Sequence, residues 1–101
     1  MRVRFLDVAR QELDEAVAFH DAQVPGLGKA FLGEILAALD LIQRHPSAWH
    51  PLSAETRRCR LRRFPYGLIY HADDAELLII AVAHLHRRPD YWRDRLEGEL
   101  E

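Results

Sequence analysis

The chain has 101 residues, 49% apolar and 30% charged, with a net charge of −2. That length suits one domain with one modest core, and no apolar run approaches the ~20 residues that cross a bilayer. A single cysteine, Cys59, excludes an internal disulfide framework and a cysteine-rich zinc site, and an N-terminus without a signal-like apolar stretch points to the cytoplasm.

The first element is the alternating run RVRFL, Arg2–Leu6, a strand. Asp7 is placed to cap a helix from Val8 to about Gln23, in which Leu13, Ala16, Val17, His20 and Val24 recur at helical spacing. Pro25-Gly26 breaks it. From Leu27 to Arg44 a second stripe (Leu27, Ala30, Phe31, Ile35, Ala38, Leu39, Ile42) predicts another helix, stopped by Pro46. So short a link makes the two an antiparallel hairpin. His45–Thr56 reads as a loop. RRCRLRRF, Arg57–Phe64, reads as a second strand, with Cys59, Leu61 and Arg63 on one face and Arg58, Arg60, Arg62 and Phe64 on the other. A third strand follows at Tyr66–Ala72, a turn at Asp73-Asp74, and a fourth strand at Glu76–His86. The fourth is apolar on both faces and therefore central. Pro89–Leu96 predicts a short terminal helix, and residues 97–101 are expected to fray. The order predicts an α+β fold, βααβββ(α), in a single domain over 1–101. A helical hairpin packs on one face of a small, mainly antiparallel four-stranded sheet, and the other face is left for function.

Charge is segregated along the chain. Residues 1–56 hold 5 Lys/Arg against 8 Asp/Glu, residues 57–95 hold 9 Arg against 5 acids, and the last six residues hold three Glu. A basic C-terminal half fits an acidic partner, either nucleic acid or an acidic protein segment. A GC-rich genome equally favours arginine over lysine.

Three constellations stand out. Arg58, Arg60 and Arg62 form a ladder of like charges that an acidic partner would offset; a solvated edge strand explains any one of them as well. His84 and His86 share a strand face, with His71 placed on the neighbouring strand. They lack the carboxylate or thiolate partners of a zinc site, so no metal and no cofactor is expected, and His86 is the better functional candidate. Arg87, Arg88, Tyr91 and Trp92 combine guanidinium groups with aromatic rings, a pairing suited to stacking bases and binding phosphate. Trp92 reads as a core plug and Arg87 as exposed and functional.

The stretches RHPSAWHP, VARQELDEAVAFHDAQVPGLGKAF and above all RRFPYGLIY followed by AVAHLHRRPDYW resemble the RelE/ParE toxin family of bacterial type II toxin–antitoxin systems, also called plasmid-stabilisation proteins. The resemblance covers nearly the whole chain. It implies growth inhibition, neutralised by a cognate antitoxin encoded by an adjacent gene. RelE-like members are ribosome-dependent mRNA endonucleases, in which the RNA 2′-OH attacks the adjacent phosphate. They carry basic residues on the second strand, an arginine just after the tyrosine opening the third, and an arginine with tyrosine or histidine near the C-terminus. The catalytic set implied for that branch is Arg60, Arg62, His86, Arg87 and Tyr91. The middle position, however, is Gly67. ParE-like members inhibit DNA gyrase without established catalytic residues, and the glycine favours this branch. The target-binding residues expected are Arg58, Arg60, Arg62, Arg87, Arg88 and Tyr91. The alternatives are the endonuclease and a non-toxic antitoxin-binding module.

Overall fold

The apolar run near the C-terminus organises the molecule. In a computed structural model describing residues 1–97, Leu77 to Ala83 are all buried and form most of a strand, Glu76–His84. Residues 98–101, most of the expected frayed end, lie outside the described residues.

The elements are β1 (Arg2–Phe5), α1 (Asp7–Gln23), α2 (Leu27–Arg44), β2 (His50–Pro51), β3 (Arg57–Arg60), β4 (Tyr66–Ala72), β5 (Glu76–His84) and a 3-10 turn at Arg93–Leu96. The sheet order is β1-β5-β4-β3-β2. β1 runs parallel to β5, with Arg2 opposite Glu76 and Phe5 opposite Ile79. The other pairs are antiparallel, so the predicted meander of β3, β4 and β5 is present and the apolar strand is internal. Ile69 faces Ala81 and Tyr70 faces Ile79, which leaves Ile80 as an extra, unopposed residue. Such a bulge bends and twists the strand locally.

The helical hairpin covers one face. α1 buries Ala9, Leu13, Ala16 and His20; α2 buries Gly28, Phe31, Ile35, Ala38, Leu39 and Ile42. These meet Cys59, Leu68 and the β5 side chains in one core. The link turns at Gly26, whose φ of 91° lies in the left-handed region open to glycine. Asp21, near the end of α1, accepts the Gly26 and Gly28 backbone N–H groups at 2.9 and 3.3 Å and so caps the start of α2. At Gly28 the helices approach so closely that an added Cβ would sit 2.6 Å from the Val17 carbonyl oxygen.

Several boundaries differ from the sequence expectation. The sheet has five strands, because His50–Pro51 pairs with Arg57–Arg58 within the expected loop. Two residues with a proline carry no readable alternation, and an edge position tolerates the missing donor. Leu6, not Asp7, occupies the cap position of α1, and no side chain caps it. β5 ends at His84, and the expected terminal helix is a single 3-10 turn. β3 stops at Arg60 rather than Phe64 because of Glu34 on α2. That carboxylate accepts the backbone N–H groups of Arg62 and Arg63 at 3.0 and 3.1 Å and pairs with the Arg63 guanidinium. Backbone donors taken by a side chain cannot extend the ladder. Arg62 therefore leaves the strand face it was expected to share with Arg58 and Arg60.

Burial pushes the Glu34 carboxyl up, but the hydrogen bonds from Arg63 and Arg62 and the Arg63 charge outweigh it and hold the carboxyl below the ordinary 4.5. A folded-state value below the unfolded one adds stability at neutral pH, and this is lost as pH falls from about 4.5 through the folded value. Glu34→Gln should flatten that acid limb in thermal melts collected across pH; an unchanged profile would remove Glu34 as its source.

Candidate functional site

Beyond Phe5 the outer edge of β5 has no strand beside it among the described residues. Two of its backbone groups are taken by side chains instead. Glu12 on α1 accepts the Val82 N–H at 3.1 Å, and Arg95 donates to the Ile80 carbonyl at 3.0 Å. The same two side chains form a fork-to-fork pair, Arg95 Nη1 and Nη2 lying 2.8 and 3.0 Å from the two Glu12 oxygens. Both are largely buried. Bidentate pairing of this kind is strong and geometrically specific.

Glu12 also gathers the preceding residues. The Tyr91 hydroxyl donates to Glu12 Oε2 at 2.9 Å, and Arg87 Nη1 lies 3.5 Å from the same oxygen. The Arg87 guanidinium sits over the Tyr91 ring at 3.8 Å, with Arg95 5.0 Å from that ring. Burial, followed by the hydrogen bond and charge of Glu12, pushes the Tyr91 phenol far up, so it stays protonated. The hydrogen bond to Glu12 raises Arg95 as well. Trp92 is 1% exposed and donates its Nε1–H to the Pro89 carbonyl at 3.0 Å, which matches its expected role as a core plug.

The C-terminal segment thus covers part of the sheet face opposite the helices. Arg58 pairs with Ile69 and Arg60 with Gly67, so all four lie on that face. A hollow of about 140 Å³ is lined there by Arg58, Arg87, Arg88 and Tyr91 over Ile69, Ala83 and Trp92. Arg60, Arg62 and His86 line a different, more open depression with Phe64 and Pro65. The expected residues therefore fall into two groups. The arginine ladder is divided between them: Arg58 lines the first hollow, while Arg60, two residues on along β3, lines the second together with Arg62 beyond the strand end.

An added Cβ at Gly67 would meet Arg58 Cγ at 3.0 Å and Cδ at 3.1 Å. The Arg58 stem lies across the glycine and occupies the space above it.

His84 and His86 lie side by side, and His71 is on the neighbouring strand, as expected. His84 packs against Tyr66, ring centroids 5.0 Å apart, and accepts the His86 backbone N–H at Nδ1, which places its own proton on Nε2. His86 lies 4.9 Å from it, ring to ring, and is exposed. His71 is at the far end of β4, opposite Leu78, with Nδ1 2.7 Å from the Glu55 carbonyl. Among the described residues no group of three or more metal-binding side chains occurs. Burial pushes the Cys59 thiol up to about 11, so it stays protonated and packs as a small apolar group. Tyr70, pushed up to about 12 chiefly by burial, donates to the Pro46 carbonyl at 2.6 Å.

Sequence reasoning missed Glu12 and Arg95. The available signal was an acid beside the α1 apolar stripe, adjacent to Leu13 and four residues before Ala16, but many exposed acids occupy such positions.

A family described as the ParE toxin of type II toxin–antitoxin system, parDE, matches residues 3–91. The chain belongs to this family. A solved structure, the chromosomal ParDE toxin–antitoxin system from P. aeruginosa, has the same fold: the TM-score is 0.74 over 85% of this chain and 97% of that one, at 16% identity. No curated protein matches the sequence significantly. The ParE assignment agrees with the βααβββ order, and its matched span ends at Tyr91, within the cluster around Glu12. No helix among the described residues is long and apolar enough to cross a membrane.

Two substitutions separate plug from clasp. Trp92→Ala should cost about 3–5 kcal/mol, the usual range for a buried aromatic. Glu12→Gln keeps the shape but leaves Arg95 without its charge partner, and should cost about 2–3 kcal/mol. Denaturant melts read both, and parental midpoints for the pair would overturn these roles.

Proposed function

We propose that this ParE-family chain is a toxin that arrests growth by binding DNA gyrase, and that a cognate antitoxin encoded by an adjacent gene neutralises it. The observation that carries the reading is the Arg58 side chain lying across Gly67. The nuclease branch that the sequence resembles carries an arginine at this position. Here the space is filled, and the residues implied for cleavage line separate hollows. Tyr91 is held protonated against Glu12 and is poorly suited to act as a base. A surface that binds through Arg58, Arg87, Arg88 and Tyr91 fits this arrangement better than one that assembles a phosphorane.

A second reading keeps cleavage of ribosome-bound mRNA. One observation favours it: His86, beside His84, shares its depression with Arg60 and Arg62, which puts a proton carrier near two cations. The antitoxin contact is expected to combine two surfaces. The helical hairpin exposes Phe19, Val24, Leu32, Leu36 and Leu41, which an amphipathic segment can cover, and Arg60 and Arg62 supply positive charge.

Purified protein assayed for gyrase-dependent supercoiling and for mRNA cleavage on ribosomes should inhibit the first and leave mRNA intact. Cleavage abolished by His86→Ala would establish the second reading instead, and a chain harmless in both assays and in cells would leave only antitoxin binding. Arg87→Ala should weaken growth inhibition while changing stability by no more than about 1 kcal/mol, because the lost pair is half-exposed. Full toxicity of that variant on induced expression would remove Arg87 from the contact surface.

A further inference from the structure

The hollow between β3 and the C-terminal segment is asymmetric in charge and polarity. Its floor is apolar, formed by Ile69, Ala83 and Trp92, and Arg58, Arg87 and Arg88 contribute to its wall. Arg87 is partly neutralised by Glu12 at 3.5 Å. The one acid in the lining, Asp90, is engaged by Arg93 at 3.2 Å. Arg88 is exposed and has no side-chain partner among the described residues.

Arg58 carries the decisive feature. Its Nε–H is buried and has no acceptor among the described residues. A buried donor left unpaired is destabilising, and more so on a charged group. An acceptor that enters the hollow lined by Arg58 and draws the guanidinium towards it would pair this donor. The stem over Gly67 fixes where that guanidinium begins, because the glycine leaves room for the methylene groups and nothing else.

We propose that this hollow is a docking site for a carboxylate of an acidic peptide segment, with the Glu or Asp side chain held by Arg58 and Arg88 and an adjacent apolar side chain resting on Ile69, Ala83 and Trp92. The shared chemistry of carboxylate and phosphate would satisfy the arginines equally. The floor decides between them. A phosphodiester chain brings charge at every step and sugars between, and it favours an open row of cations. A half-open hollow of about 140 Å³ with an apolar base suits one charged and one apolar side chain in neighbouring positions. The site rests on geometry alone; only the idea that an antitoxin or target supplies the segment in the cell rests on the toxin reading above.

The test uses the full chain and needs no toxicity. The probe is the blocked tetrapeptide acetyl-Leu-Glu-Leu-Glu-amide, with acetyl-Leu-Gln-Leu-Gln-amide, inorganic phosphate and a short single-stranded RNA as comparisons. Binding is followed through the arginine Nε–H resonances, that of Arg58 being identified by its loss in Arg58→Lys. The acidic peptide should shift the Arg58 resonance saturably, and the neutral peptide should not. Arg58→Lys keeps the charge and the stem but removes Nε–H, and should weaken binding by about tenfold or more, as loss of a charge-assisted hydrogen bond does. Arg88→Gln, at an exposed position, should weaken binding with the melting temperature unchanged. Tighter binding of phosphate or RNA at the same resonance would overturn the assignment to a peptide. Equal affinity of the parent and both variants for the acidic peptide would overturn the site itself.

Discussion

The fork between Glu12 and Arg95 holds the molecule's two halves to one another. β1 is four residues long and β5 is nine, so five residues of the central strand extend past their parallel neighbour. A strand edge buried without partners would be destabilising at each unpaired group. One ion pair resolves this: Glu12 takes a backbone N–H, Arg95 takes a backbone carbonyl, and each satisfies the other. A pair with so many hydrogen bonds offsets the desolvation that usually makes buried ions a poor source of stability. Through Tyr91 the same carboxylate positions Arg87 on the surface.

Glu34 repeats the device at the other side of the sheet. There a helix carboxylate accepts two successive backbone N–H groups and turns the chain out of β3. Both acids lie on the margins of apolar helical stripes and reach past the helix to the strand they cover. At Glu34 the effect is to set how far β3 runs and therefore which arginines remain on the sheet face. Arg58 and Arg60 stay; Arg62 is diverted.

Periodicity made the large elements legible. The helical stripes of α1 and α2, the break at Pro25-Gly26 and the continuous apolar run of β5 each depend on local spacing, and the structure follows them. The role of Trp92 was legible too, because a large aromatic next to a strand end has few places to go but the core. The boundaries that failed depend on contacts between distant residues. Nothing near Arg62 announces that Glu34 will take its N–H, and nothing near Glu12 announces Arg95, 83 positions away. His50–Pro51 is too short to show a period. The division of the candidate residues between two hollows could not be read from their spacing either: Arg58 and Arg60 share a strand face, yet the C-terminal segment encloses only the first with Arg87, Arg88 and Tyr91.

The parallel pairing of β1 with β5 has a consequence for synthesis. The first strand made is also one of the last to find its place, since Arg4 meets Glu76 across 72 positions and Glu12 meets Arg95 across 83. Contacts of such long separation form late and slow the folding of a small domain. The helical hairpin, by contrast, is local and can form while the rest of the chain is still being translated. A ribosome making this protein therefore presents the hairpin first and completes the arginine-bearing face only when the C-terminal segment has emerged. The nascent chain offers its apolar helices to a partner before it owns a finished basic surface.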